Sequence, residues 1–270
     1  MPVLTRSAYL LATVILAVTG CTGSADGLEP ASPAGTRAPS STGDAGATSS
    51  APATSENALP PGVQGIEDCP GPRDHPFSLR RGEDRIHGHS RGRGTQVVVL
   101  THQFRGTPCD LSGLAATLVA HGWRAVSWTT DTSPTPRTLR LLVEHERDRG
   151  ARTVVLAGAS AGGATSLVAA TGIRPRVDAV VALSPSGYAM EPGDVVAAAG
   201  RWSGPMLVVA GALEPGFADV AQDVAAAHDG DEELLLVPDA AEHGKDYVRR
   251  RTDPVTGRVV AFLAASVRHR

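Results

Sequence analysis

Short, nearly continuous runs of apolar, β-branched residues punctuate the chain from residue 97 onward, at 97–100, 124–128, 154–157, 177–183, 206–210 and 234–237. Runs of this length, without polar alternation, predict strands covered on both faces. Between them the apolar residues recur at helical spacing. Leu111, Leu114, Leu118 and Val119 share one face. Leu139, Leu142 and Val143 share another, after Pro136. Phe217, Val220, Ala221 and Val224 repeat the pattern. A last helix is predicted to open with Asp253 as cap and Pro254 in its first turn, burying Val255, Val259, Phe262 and Leu263. Strand and helix in regular alternation predict a mostly parallel, doubly wound sheet with helices on both faces. The stretch 77–91 is read as one or two antiparallel edge strands, and no internal repeat is visible.

The first sixty residues lack this pattern. Arg6 precedes a short apolar stretch, 9–19, which ends at Val18-Thr19-Gly20-Cys21. A charged start, a short apolar segment and small residues at the end predict a secretory signal. The cysteine directly after the small residues resembles the bacterial lipobox. That resemblance implies cleavage before Cys21, lipidation of its thiol and anchoring to the outer face of the cell membrane; an ordinary signal peptide would leave Cys21 free. From 22 to 62, 33 of 41 residues are Ala, Ser, Thr, Gly or Pro, and only Leu28 and Leu59 are large and apolar. Such a segment buries too little surface to offset its conformational entropy. The expected organisation is a signal over 1–20, a disordered tether over 21–62 and one folded domain over 63–270.

Composition narrows the function classes. The chain has 270 residues and a formal charge of −3, with 25 Lys+Arg against 28 Asp+Glu. Residues 63–270 alone carry 23 basic and 24 acidic side chains. A near-neutral domain without a basic run offers no electrostatic footprint for nucleic acid. No apolar run reaches the roughly 20 residues of a spanning helix. His87-Gly88-His89 is the one close histidine pair; nothing completes a metal site around it, and it reads as a hairpin with two exposed histidines. No cofactor is expected.

The most informative motif follows the third run. Val154-Val155-Leu156-Ala157 leads into Gly158-Ala159-Ser160-Ala161-Gly162-Gly163, and a helix-compatible stretch comes next. This is Gly-x-Ser-x-Gly between a strand and a helix, where a sharp turn lifts a serine hydroxyl above the sheet edge. The helix start then offers backbone N–H groups to a developing oxyanion. A glycine-rich turn that only packs tightly is the bland alternative. Neither nucleotide-binding spacing is present.

From about residue 95 onward the sequence resembles an α/β-hydrolase, similar to small cap-less esterases and dienelactone-hydrolase-like proteins. The resemblance implies an α/β-hydrolase fold and the chain order nucleophile, acid, histidine. Ser160 is then the nucleophile. The acid follows the strand at 206–210, where Gly211-Ala212-Leu213-Glu214 places Glu214 at the family's position with Glu for the commoner Asp; Asp219 is the reserve. His243, in Glu242-His243-Gly244, follows the last strand and is the base. The oxyanion hole takes backbone N–H groups from Ala161 and from Phe104, in the loop Thr101-His102-Gln103-Phe104. Gln103 replaces the family's customary glycine, which leaves open whether its side chain aims at the pocket, and His102 is read as a brace under the loop.

With Cys21 assigned to lipid, Cys69 and Cys109 remain in a compartment that permits disulfides, and a bridge between them is expected. It would close a loop of about 40 residues. Only about 22 residues, 184–205, separate two strands where many relatives insert a cap, so no large cap domain is expected and the pocket should be open. Gln103, Trp128, Ser186 and Tyr188, with Met190, are expected to line it. Read together, these residues predict a membrane-tethered serine hydrolase that cleaves a carboxylic ester, with thioester or amide chemistry open to the same parts. The alternative is an inactive surface lipoprotein that uses the fold for binding or scaffolding. Neither substrate identity nor oligomeric state is legible.

Overall fold

The computed structural model describes residues 69, 71, 74–189, 194–250 and 252–268. The expected signal, the Cys21 site, the tether and Met190 lie outside the described residues.

Eight strands form one sheet in the order β1-β2-β4-β3-β5-β6-β7-β8. The strands are β1 (His75–Arg81), β2 (Asp84–Arg91), β3 (Gln96–Thr101), β4 (Arg124–Thr130), β5 (Thr153–Ala159), β6 (Ala179–Leu183), β7 (Met206–Gly211) and β8 (Glu232–Val237). β1, β2 and β4 pair antiparallel, and every other pairing is parallel. The edge hairpin is the one expected over 77–91. Six apolar runs became the six parallel strands; the run at 177–183 begins its strand only at Ala179, because Val177 packs into the core ahead of it.

Alternation along each strand sends side chains to two separate cores. Val97 and Val99 point to one and Val98 and Leu100 to the other. The first core is covered by α2 (Pro136–Asp148), α3 (Ala161–Gly172), α4 (Val195–Ala199) and α5 (Phe217–Ala227); the second by α1 (Ser112–Ala120) and α6 (Pro254–Arg268). Helices on both faces make this a doubly wound, mostly parallel α/β sheet, as expected. The predicted α2 start is well formed: Thr135 and Thr138 exchange side-chain to backbone hydrogen bonds around Pro136. Asp253 stands directly before Pro254, the first residue of α6, and its carbonyl accepts the Gly257 N–H, as expected of a cap position; its carboxylate also accepts the N–H of Arg250, three residues back.

Within the 184–205 connection the described residues form only α4 and a bridge between Tyr188 and Asp194. Cys69 and Cys109 are joined, with their Cα atoms 5.3 Å apart. His87 and His89 are buried, which corrects the expectation of two exposed histidines. β2 is paired on both edges, with β1 and β4, and α1 and α2 pack against it. No helix among the described residues is long and apolar enough to cross a membrane.

Candidate active site

β5 delivers Ser160 at the carboxyl edge of the sheet, directly before α3. Its backbone stands at φ 53°, ψ −121°, a region that L-residues rarely occupy. The neighbouring structure holds it there. The Ser160 N–H donates to the carbonyl of Leu183 at 2.8 Å, and the Ser160 carbonyl accepts from Ala164 and Ser186. The two glycines are sterically required. A Cβ on Gly158 would overlap the backbone of Gly162, and one on Gly162 would overlap the carbonyl oxygens of Thr101 and His102. The second glycine therefore lets the loop after β3 lie against the start of α3.

Glu214 and His243 come from loops after β7 and β8, and the structure brings them together. Glu214 Oε1 lies 2.5 Å from His243 Nδ1. A carboxylate only accepts, so Nδ1 carries the hydrogen and Nε2 is left as the acceptor. Glu214 is 3% exposed and its second oxygen is also occupied. Oε2 accepts the Ser184 hydroxyl at 2.7 Å and the Gly211 N–H at 3.2 Å. Gly244, immediately after His243, lies against the serine: a Cβ built on it would sit 3.2 Å from Ala159 Cβ and 3.5 Å from Ser160 N. Phe217 packs against His243 with ring centroids 4.3 Å apart and the rings tilted by 55°. Asp219 is exposed in the first turn of α5, away from this network.

Two residues in the network were not singled out from sequence. Ser184 donates to Glu214 and accepts the Gly244 N–H at 3.0 Å, so one hydroxyl ties acid loop to histidine loop. Tyr247 donates to the carbonyl of Glu242 at 2.5 Å and stands 3.4 Å from Glu214 Oε2. Burial and the adjacent Glu214 push the Tyr247 hydroxyl far above the ordinary tyrosine range, so it stays a donor. A signal for Ser184 existed in principle: it ends a fully apolar strand, where a polar residue needs a partner.

The loop after β3 is braced as expected. His102 Nδ1 lies 2.8 Å from the carbonyl of Gln103, which also accepts the Gly106 N–H at 2.9 Å. Nδ1 is therefore the protonated nitrogen, and Nε2 accepts from Thr129 at 3.1 Å. Burial holds the His102 imidazole below its usual range, favouring this neutral form. In a trans peptide C=O and N–H point oppositely. Pinning the Gln103 carbonyl therefore fixes the direction of the Phe104 N–H. Gln103 Oε1 is buried beside Gly244, spanning from this loop to the histidine loop.

The expected pocket residues divide. Ser186 is half-buried beside Ser160, and Tyr188 is exposed on the same loop. Trp128 corrects the expectation. It is fully buried in the first core, with its indole N–H donating to Thr101. Among the described residues no group of three His, Cys, Asp or Glu side chains is arranged to hold a metal ion.

A second serine, histidine and carboxylate also meet in this chain. Ser78 Oγ lies 3.2 Å from His87 Nδ1, and His87 Nε2 lies 2.8 Å from Asp131 Oδ1. Ser78 and His87 are directly opposed on β1 and β2.

No protein-family model and no curated protein matches the sequence. Solved structures do match the fold. Dienelactone hydrolase from Anabaena variabilis is similar at 17% identity, TM-score 0.54, over 73% of this chain and 97% of that one. Est1E from Butyrivibrio proteoclasticus with ferulic acid bound is similar at 15% identity, TM-score 0.59, over 71% and 99%. The enol-lactonase from Burkholderia xenovorans is similar at 14% identity, TM-score 0.58, over 69% and 99%. At these identities the likeness establishes the architecture: the chain has the α/β-hydrolase fold.

Proposed function

We propose that this chain is a serine hydrolase acting on carboxylic esters. The observation that carries the reading is the Glu214–His243 pair, held in one tautomer beside a serine at a strained strand-to-helix turn. The hydrolytic names of the structural neighbours support the same class. Ser160 Oγ attacks the ester carbonyl while His243 Nε2 takes its proton. Glu214 keeps Nδ1–H in place and stabilises the imidazolium. The Ala161 and Phe104 backbone N–H groups receive the oxyanion. The tetrahedral intermediate collapses with the proton passing from Nε2 to the leaving alcohol, leaving an acyl-enzyme. Water, activated by the same imidazole, releases the acid and restores Ser160.

The N-terminal sequence supports placing this activity outside the cytoplasm, on a lipid at Cys21 and a tether over 21–62. A Cys69–Cys109 bridge is compatible with that compartment. Labelled palmitate should enter the wild type and not Cys21→Ser. The activity is tested by rapid mixing with p-nitrophenyl acetate. The reading expects a burst of one nitrophenolate per chain, absent in Ser160→Ala. A wild type with neither burst nor turnover on any ester in a panel would refute it.

A further inference from the structure

Among the described residues three large hydrophobic side chains are exposed: Phe104 at 62%, Tyr188 at 76% and Leu213 at 60%. Single exposed apolar side chains are ordinary, but a group of them in one place is informative. These three occupy one edge of the sheet. Phe104 is in the loop after β3, Tyr188 in the loop after β6 and Leu213 in the loop after β7. Ser160 follows β5, which lies between β3 and β6. At about 4.8 Å per strand, the loops after β3 and β7 are about 14 Å apart, with the serine between them.

Each loop also carries part of the site. The Phe104 loop is braced by His102, the Tyr188 loop begins at Ser184, and Leu213 precedes Glu214. The Leu213 N–H donates to the carbonyl of Ala240 at 2.9 Å, fastening its loop to the one that holds His243. Phe217 adds an aromatic face on His243. A protein partner seated on these side chains would cover Ser160. An occupant that leaves the serine usable is the substrate itself.

We infer that the rim formed by Phe104, Tyr188 and Leu213 receives the apolar chain of the ester, so that the substrate class is esters with an extended aliphatic or aromatic group. This rests on the hydrolase reading above and narrows it. The shared chemistry is the apolar chain, whether the ester is free in solution or held in a lipid aggregate.

The test is a series of p-nitrophenyl esters from acetate to octanoate, each used below its solubility limit. If roughly half of each methylene leaves water on the rim, kcat/KM rises about twofold per methylene, near 60-fold across the series. Leu213→Ser combined with Tyr188→Ser is expected to lower the octanoate-to-acetate ratio at least about fivefold. Both residues are exposed, and labelling of Ser160 by a fluorophosphonate checks that the variant keeps an intact site. A flat or falling wild-type series, or an unchanged ratio in the variant, overturns the inference. Failure of every ester together with no fluorophosphonate labelling would instead be failure of the hydrolase reading. Repeating the octanoate assay as an emulsion separates the sources: rate tracking the dissolved ester means a soluble substrate, and a rise at the solubility limit means a lipid surface.

Discussion

Two regions of this molecule gather a serine, a histidine and a carboxylate, Ser160 with His243 and Glu214 and Ser78 with His87 and Asp131, and only the first carries the features that the proposed chemistry needs. Ser160 sits at a sharp turn with φ 53°, at the start of a helix whose N–H groups face the place where negative charge would develop. Ser78 sits in the middle of a flat edge strand, opposite His87 in regular register. Glu214 is nearly fully buried and occupied on both oxygens, so it holds one orientation. Asp131 is about half exposed and shares its charge with Arg85. The second cluster is a cross-strand polar network that satisfies a buried histidine. The difference teaches that residue identity and distance do not define a catalytic triad; the turn, the oxyanion donors and a fixed acid do.

The largest contrast should come from the two serines. Ser160→Ala should lower ester kcat by about 10⁴-fold or more, whereas Ser78→Ala should stay within about twofold. Comparable losses in steady-state assays would erase the distinction. The carboxylates come next. Glu214→Gln should cost about 10²- to 10⁴-fold, because the imidazole loses its tautomer control. Asp131→Asn and Asp219→Asn should leave kcat/KM nearly unchanged; a large loss in Asp219→Asn alone would move the acid to α5. Ser184→Ala sharpens the account of how Glu214 is fixed. It removes one donor from Oε2 and the acceptor of the Gly244 N–H, and about a tenfold fall in kcat with little change in KM is expected. Replacing both bridged cysteines by serine should leave the kcat contrast intact but lower stability by about 4 kcal/mol in the chain-entropy model, read by denaturant titration.

The smallest effect concerns histidines that belong to neither cluster. Burial holds His89, His102 and His145 below the ordinary histidine range. Their contribution to stability is full above the unfolded value of about 6.5 and is lost as the pH falls below it toward the lowered folded values. Asp110, raised by burial, acts in the opposite direction, favouring the fold as the pH falls through its raised value. With three histidines against one carboxyl, the thermal midpoint should drop between pH 7 and pH 5.5. A midpoint that rises over this interval would contradict the assignment.

The strands and helices were readable because apolar runs and helical periodicity report burial directly. The Gly-x-Ser-x-Gly turn was readable because its glycines answer local sterics. What was hidden depends on residues distant in sequence. Ser184 acts through Glu214, thirty residues on, and nothing near it announces that partner. Trp128 looked like a lining residue from its place at a strand end, but its side chain belongs to the first core. His87 and His89 looked exposed because a two-strand hairpin would leave them so, but β2 is an inner strand of the sheet with α1 and α2 packed against it. The rim of Phe104, Tyr188 and Leu213 appears only once the order of the loops around the sheet edge is known.

The central claim is that one serine of this chain is activated and that it is Ser160. Incubation with a fluorophosphonate, digestion and mass mapping test it directly. The account predicts a single adduct on the peptide containing Ser160, lost in Ser160→Ala and retained in Ser78→Ala. No adduct in the folded wild type, or an equal adduct in Ser160→Ala, would contradict it.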